Sequence, residues 1–359
     1  VSAAPAAQAE PPPAAAAMRI RAIGEESAGA WDRYVSAAPG ASFYHRYAWR
    51  SLIARVFARE SHYLAADDGA RITGVLPLVR LKSRLFGDFL VSMPYLNYGG
   101  VLADSDEIGA ALVAEASALA GRLGVSHVEL RHTANHFGEL PVRTDKVTML
   151  RDLPASAEEL WKTIGKKVRW EVNQARKADA ACVTGGAELL DDFYAVFAEN
   201  MRDLGTPVYP RRFFAAILEA FPNDATLLIV RIGSAPTAAG LLLDDGFAVQ
   251  IPWASSLRRW NGQMVNMLLY WSALEFACGR GRRVFDFGRS TLDSGTYRFK
   301  RKWGAEAKTL YWHYWMRGGG APPQLNPQNA KFALAIALWR RLPLAIANRL
   351  GPLLVANLP

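Results

Sequence analysis

The chain has 359 residues, 51% of them hydrophobic, with a formal net charge of +9 and two cysteines, Cys182 and Cys278. That length and balance suit a globular chain of about two domains, each with a real core. They exclude a disulfide framework and point to a reducing cytoplasm; with no run of about eighteen apolar residues, nothing spans a bilayer.

The positive balance favours phosphate-bearing partners, whether nucleotide, RNA or an anionic membrane surface, without choosing among them. The six histidines form no HExxH pair. His132 and His136 are four apart, but Asn135 and the following Phe-Gly place them in a strand-end loop, so no metal site is expected.

Residues 1–17 are low-complexity Ala/Pro without the basic and apolar regions of a signal peptide, and disorder is expected there. The first folded half, 18–152, opens on the strand-like MRIRAI and a short helix around Trp31. SFYHRYAWRSLIARVF follows as an amphipathic helix with Phe43, Tyr47, Leu52 and Val56 inward. HYLAAD, RITGVLPLVRLK and PYLNYGGVL read as three strands, the last broken at Asn97 and Gly99-Gly100, where backbone amides can approach a ligand. An Ala-rich helix ending on Gly124 and the strands SHVELRH and KVTMLRDL close the half.

The second half, 153–317, opens with one long helix, AEELWKTIGKKVRWEVNQARKAD, in which Lys162, Lys166, Lys167, Arg169, Arg176 and Lys177 have one acid between them, Glu171. A short strand, two helices, three strands and the helix GQMVNMLLYWSALEFACG lead to the stretch Arg282–Gly304, and TLYWHYWMR completes the set. In RRVFDFGRSTLDSGTYRFKRKWG a mixed strand turns into a corner dense in Arg298, Lys300, Arg301 and Lys302 among aromatic rings. Such a corner at the C-terminal end of a strand is where an open α/β sheet holds an anionic ligand. Residues 318–359 read as a flexible linker and an amphipathic tail with Trp339, Arg340, Arg341 and Arg349. The tail is expected either to touch the inner face of the membrane as interfacial helices or to pack on the protein itself.

The halves repeat one element order. TGVLPL answers AAGLLL, GRLG answers ACGRG, and VELRH answers FDFGR, as in an internal duplication. The order resembles the GNAT acyltransferase domain, which implies an α/β (α+β) chain of two tandem GNAT-like domains with mixed central sheets. In that fold the donor's pyrophosphate meets an R/Q-x-x-G-x-G/A loop at a helix N-terminus. Arg259-Trp-Asn-Gly262-Gln-Met264 matches its start, while Met264 replaces the final small residue.

Two such domains, the helix KKVRWEVNQARKAD and the late FDFGRS…YRFKRKWG resemble the FemAB family, which transfers an amino acid from aminoacyl-tRNA to an amine of a peptidoglycan precursor. NYGGVL, NMRDLGTPVYPRRFF, NMLLYW and FDFGRST resemble its branch associated with the PEP-CTERM/exosortase system and exopolysaccharide clusters. The resemblance implies a cytoplasmic acyltransferase acting on an envelope glycan, peptidoglycan or exopolysaccharide precursor, some of them lipid-linked. It implies no bound cofactor, with aminoacyl-tRNA or acyl-CoA as co-substrate. Phe299-Lys300 match the family's Phe-Lys pair, which receives the donor and stabilises charge at the reacting carbonyl.

Asp286 either takes the acceptor's proton or orients Arg289 and Lys300, the second being favoured. Ser290, lacking a visible base, reads as a hydrogen-bonding turn residue. Arg289, Ser290, Tyr297, Phe299, Arg259, Gly262, Asn266, Lys167 and Arg169 are the candidate donor contacts. Tyr209 and Arg211, beside Arg212 and Phe213-Phe214, with Asn97, Tyr98 and Trp253 as cleft walls, are the candidate acceptor contacts. An acyl-CoA-dependent N-acyltransferase and a non-catalytic binding module are the competing readings.

Overall fold

The computed structural model describes residues 18–83, 86–323 and 330–358. The Ala/Pro stretch 1–17 and much of the expected linker, 324–329, lie outside the described residues.

The first half contributes β1 (Arg19–Ala22), α1 (Ala28–Ala37), α2 (Ala48–Phe57), β2 (Ser61–Asp67), β3 (Ile72–Ser83), β4 (Gly87–Val91), β5 (Leu102–Ala103), α3 (Asp106–Leu123), β6 (His127–His132), β7 (Val142–Arg143) and β8 (Lys146–Asp152). The second contributes α4 (Ala157–Thr163), α5 (Lys166–Lys177), β9 (Ala180–Gly185), α6 (Leu190–Leu204), α7 (Arg211–Ala220), β10 (Ala225–Ile232), β11 (Ala235–Asp244), β12 (Ala248–Ser256), α8 (Val265–Gly279), β13 (Val284–Thr291), α9 (Gly295–Lys302), β14 (Glu306–Thr309) and β15 (Tyr311–Met316). Helices α10 (Ala330–Trp339) and α11 (Leu344–Val355) follow.

Local chemistry accounts for most of these limits. Helix α3 starts on Ser105, whose side chain accepts from the Ile108 amide, and ends on Gly124 at φ +71°. The long helix expected after residue 156 is broken in two, because Ile164 turns extended to bury its side chain and Gly165 gives the helix no support. The amphipathic helix of the first half begins only at Ala48, after a single 3₁₀ turn at Phe43–His45. PYLNYGGVL is a loop up to Leu102, which begins β5: Tyr95 and Gly99, and Met93 just before the segment, take positive φ, at 71°, 144° and 52°. A strand that was not expected, Gly87–Val91, precedes it, with Phe89, Leu90 and Val91 buried.

Two mixed sheets result. One runs β1-β2-β3-β4-β6-β15-β7 with β5 on β3, and the other runs β14-β8-β13-β12-β11-β10-β9. Strands β8 and β15 are thereby exchanged: KVTMLRD, expected to close the first half, lies between β14 and β13 of the second sheet, and YWHYWM pairs with β6 of the first. Alternation identifies a strand but not the edge it joins, so this exchange had no signature in the pattern.

The helices of both halves meet between the sheets. Trp31, Phe43 and Trp49 from α1, α2 and the turn joining them share one core with Phe193, Phe197, Phe213, Phe214 and Phe221 from α6 and α7. Phe43 and Phe221 pack at 4.7 Å, and Arg55 reaches Glu219 at 2.8 Å across the junction. Helix α3 covers the outer face of the first sheet, and α4, α5 and α8 that of the second. The tail packs on the protein: Gly351 lies so close to Val208 that an added Cβ would stand 2.7 Å from its backbone nitrogen, and Tyr95 donates to the Ala356 carbonyl at 2.9 Å.

Candidate active site

Each sheet contains one parallel pair that comes apart. β4 and β6 are in register only at Leu90–Val128 and Val91–Glu129. β12 and β13 are in register from Ala248–Val284 to Gln250–Asp286, after which both continue without partnering each other, to Ser256 and Thr291. The β12 register with β11 also shifts between Leu241 and Leu243, next to Pro252, which has no amide hydrogen to give a ladder. The gap opens immediately beyond Asp286.

Asp286 is buried and heavily bonded. Its Oδ1 accepts from Thr148 Oγ1 at 2.6 Å and from the Gly288 amide at 2.8 Å, while its Oδ2 accepts from Tyr98 Oη at 2.7 Å. Burial raises its pKa, and these bonds and the nearby Lys300 charge oppose that rise. Thr148 arrives on the exchanged strand β8 and Tyr98 from the first half's loop, so both halves fix this carboxylate. Its donors are Thr148, Gly288 and Tyr98, and neither Arg289 nor Lys300, the residues it was expected to orient, hydrogen-bonds to it.

Gly288 kinks the strand at φ +76°, where a side chain is strained, and Asn97 Nδ2 lies 3.4 Å from where its Cβ would be. The kink turns the Gly288 and Arg289 carbonyls toward α9. Helix α9 is opened by Ser294, whose side chain accepts from the Tyr297 amide. One turn later Lys300 is buried, and its Nζ donates to the Gly288 carbonyl at 2.8 Å and the Arg289 carbonyl at 3.0 Å. An ammonium has three donors, and these bonds use two. Burial lowers the Lys300 pKa to about 8, with Asp286 pulling the other way.

Several other candidates meet here. Arg289 faces Arg131 of β6, each guanidinium lying near the Trp312 ring, at 5.2 and 4.5 Å. Tyr209 packs against Trp253 at 6.2 Å and Tyr95 at 6.1 Å, and the Arg289 charge lowers its phenol pKa against the dominant effect of burial. Asn97, Tyr98, Tyr209, Trp253, Asp286, Arg289 and Lys300 thus come from both halves to one region.

The remaining candidates do not join them. Arg211 pairs with Asp191 at the surface and Arg259 with Glu199. Lys167 is exposed and Arg169 half-buried on α5. Phe299 packs edge-on to Tyr270 at 4.9 Å, and it and Tyr297 lie against the core beneath the second sheet. Ser290 is within β13 rather than in a turn, opposite Val147, and its buried Oγ has no hydrogen-bond partner among the described residues.

Sequence reasoning missed Thr148, Glu129, Arg131 and Trp312. The available signal was in HVELRH, where a glutamate and an arginine two apart sit in a strand buried along its whole length. Charged residues pointing into a core mark a polar network rather than a solvated face.

Residues 165–301 match the family model described as Acetyltransferase (GNAT) domain. No curated protein sequence matches the chain. Among solved structures, FemX superposes with a TM-score of 0.65 at 14% identity, covering 82% of this chain and 96% of its own. The C-terminal domain (DUF2156) of a putative lysylphosphatidylglycerol synthetase from Agrobacterium fabrum gives 0.54 at 12%, covering 87% and 95%. A tandem GNAT protein from the clavulanic acid biosynthesis pathway gives 0.50 at 12%, covering 85% and 100%. The fold is therefore the GNAT-like one that the element order implied, with two mixed sheets.

The loop expected to meet a pyrophosphate in a GNAT domain precedes α8. Here Gly262 is exposed, with open space where its Cβ would be, and Met264 takes φ +54°. Asn266 lines a pocket there with Ser256, Asn261, Met264, Met267, Lys302 and Glu171. Glu171 is buried and its Oε2 has no hydrogen-bond partner. Glu171 and Lys302 put one acid and one base on this pocket, so its side chains add no net positive charge to the attraction of the helix N-terminus for a diphosphate.

Proposed function

We propose that this protein is an acyltransferase that moves an aminoacyl group from an ester donor, aminoacyl-tRNA, to an amine or hydroxyl of a cell-envelope glycan precursor. One observation carries the reading: Lys300 Nζ, buried beside the parting of β12 and β13, has one N–H left after binding two carbonyls. The acceptor's lone pair attacks the ester carbonyl, the C=O electrons move onto oxygen, and the remaining N–H bonds the oxyanion. Collapse of that intermediate breaks the ester C–O bond, and the acceptor's proton goes to the departing hydroxyl. A fixed donor at an oxyanion contributes about 3 kcal/mol, roughly a hundredfold or more in rate.

Met264 in place of a small residue, at φ +54°, supports an aminoacyl ester over a CoA thioester. The resemblance to the exosortase-associated FemAB branch supports an exopolysaccharide or peptidoglycan precursor as acceptor. The match to an acetyltransferase domain model favours a second reading, in which acetyl-CoA is the donor. Bulk aminoacyl-tRNA and acetyl-CoA, each incubated with the protein and glucosamine, separate the two. Enzyme-dependent loss of the tRNA ester, abolished in Lys300→Met, supports the proposal. Release of free CoA with the tRNA ester intact supports the second reading, and neither product refutes both.

The tail extends this reading. Among the described residues no helix is long and apolar enough to cross a membrane. Leu334, Leu338 and Leu353 are nonetheless 63%, 57% and 67% exposed on α10 and α11, and Arg340, Arg341 and Arg349 are exposed with them. An outward apolar face with arginines suits a peripheral contact with an anionic leaflet, where a lipid-linked precursor would be at hand.

A further inference from the structure

The pseudo-repeat places an acid and an arginine on equivalent strands, Glu129 and Arg131 on β6 and Asp286 and Arg289 on β13. The two pairs are wired differently. Arg131 is bonded to Glu129 at 2.8 Å and to the Leu96 carbonyl at 2.9 Å, and Glu129 also accepts from Tyr314. On β13 the register with β8 shifts between Asp286 and Arg289, which separates acid from base, and Asp286 is taken up by Tyr98, Thr148 and Gly288. Arg289 is left with no hydrogen bond or ion pair to any described residue.

An uncompensated guanidinium is costly in such surroundings, and its neighbour makes matters worse. Burial, then the charge of Arg131, lower the Arg289 pKa to about 10. Both arginines line a cavity of about 280 Å³ between the sheets, with Arg143, Lys146, Glu129, Phe89, Trp312 and Tyr314. Arg143 and Lys146 share Asp145, at 3.0 and 3.1 Å. His127, stacked on Phe89, is kept neutral by burial and adds no charge. The walls are thus aromatic, the charge is positive, and the one arginine of this wall without a hydrogen bond or ion pair to a described residue is Arg289, whose carbonyl holds the Lys300 amine.

We propose that this cavity binds the anionic group of the acceptor, a phosphate or a carboxylate carried on a sugar, with Arg289 as its principal ligand. The cavity and its charge indicate the anion; that the anion belongs to the acceptor sugar rests on the transferase reading. A planar guanidinium matches either oxyanion by two parallel N–H bonds, and the neighbouring Arg131 adds attraction without giving up Glu129. An anion held there would be fixed relative to the oxyanion site through the backbone of a single residue.

Calorimetric titration of the full chain with glucose 1-phosphate, glucuronate and glucose tests this. We expect at least one charged sugar to bind, glucose not to bind, and Arg289→Gln to weaken the binding tenfold or more. Whichever charged sugar binds more tightly identifies the group as phosphate or carboxylate. Arg289→Gln relieves the repulsion from Arg131 and loses the contact with the Trp312 ring, so the variant without ligand is expected to melt within a few degrees of the parent. Equal binding of all three sugars, or undiminished binding in Arg289→Gln, overturns the proposal. The titration needs no donor: a chain that binds the anion but transfers nothing refutes only the transferase reading, and one that transfers but binds neither charged sugar refutes only this one.

Discussion

Gly288 and Lys300 depend on each other. The left-handed glycine presents two consecutive carbonyls, and the amine spans them. Gly288→Ala has room, its nearest neighbour being 3.4 Å away, but not the conformation. Forcing an L-residue into it costs about 1–2 kcal/mol. Urea unfolding should show that loss; an unchanged midpoint would mean that the kink is not held by the fold. Lys300→Met leaves those carbonyls without their donor and removes the third N–H. We expect transfer to fall a hundredfold or more while donor affinity, measured by filter binding, changes little. An equal loss in both would place Lys300 in ground-state binding instead.

At the scale of elements, the gap beyond Asp286 and the helix that caps it were partly legible. VFDFGRS reads as a strand from its alternation and the residues after it as a cationic corner from their charge, while Lys300 is singled out only by the resemblance to the family's Phe-Lys pair. What could not be read was which basic residues turn inward. Arg259 and Arg211 look as promising in the sequence as Arg289, but each reaches an acid on helix α6, Glu199 and Asp191. Such pairings are set by packing, which local pattern does not encode. Likewise PYLNYGGVL has the composition of a strand, yet positive φ at Met93 and Tyr95 makes it the loop that delivers Tyr98. For the tail, replacing Leu334 and Leu338 by Ser should abolish co-sedimentation with phosphatidylglycerol vesicles while leaving the melting temperature within a few degrees, since both side chains are exposed. Binding that persists in this variant would remove the α10 face from the membrane contact.

Across the whole molecule, the exchange of β8 and β15 and the core shared by α1, α2, α6 and α7 tie the halves into one body. Duplication was visible in the repeated order; fusion was not, because a strand's partner is a long-range choice. The consequence is cooperative. Phe213 is fully buried and packs on Phe57 at 5.2 Å across the junction, so Phe213→Ala should cost about 3–5 kcal/mol. Calorimetry should show one transition moving to lower temperature; two transitions, only one of them shifted, would mean that the halves fold independently.

The pH profile of transfer tests the central claim most directly, that a charged Lys300 holds the developing oxyanion. Burial sets its pKa at about 8, so the ammonium is intact below that pH and lost above it. Single-turnover transfer from bulk aminoacyl-tRNA to glucosamine, corrected for uncatalysed hydrolysis and for glucosamine ionisation, should therefore decline as pH rises through about 8. A corrected rate that climbs through the same range would mean that the neutral amine acts as a base, and would contradict the account.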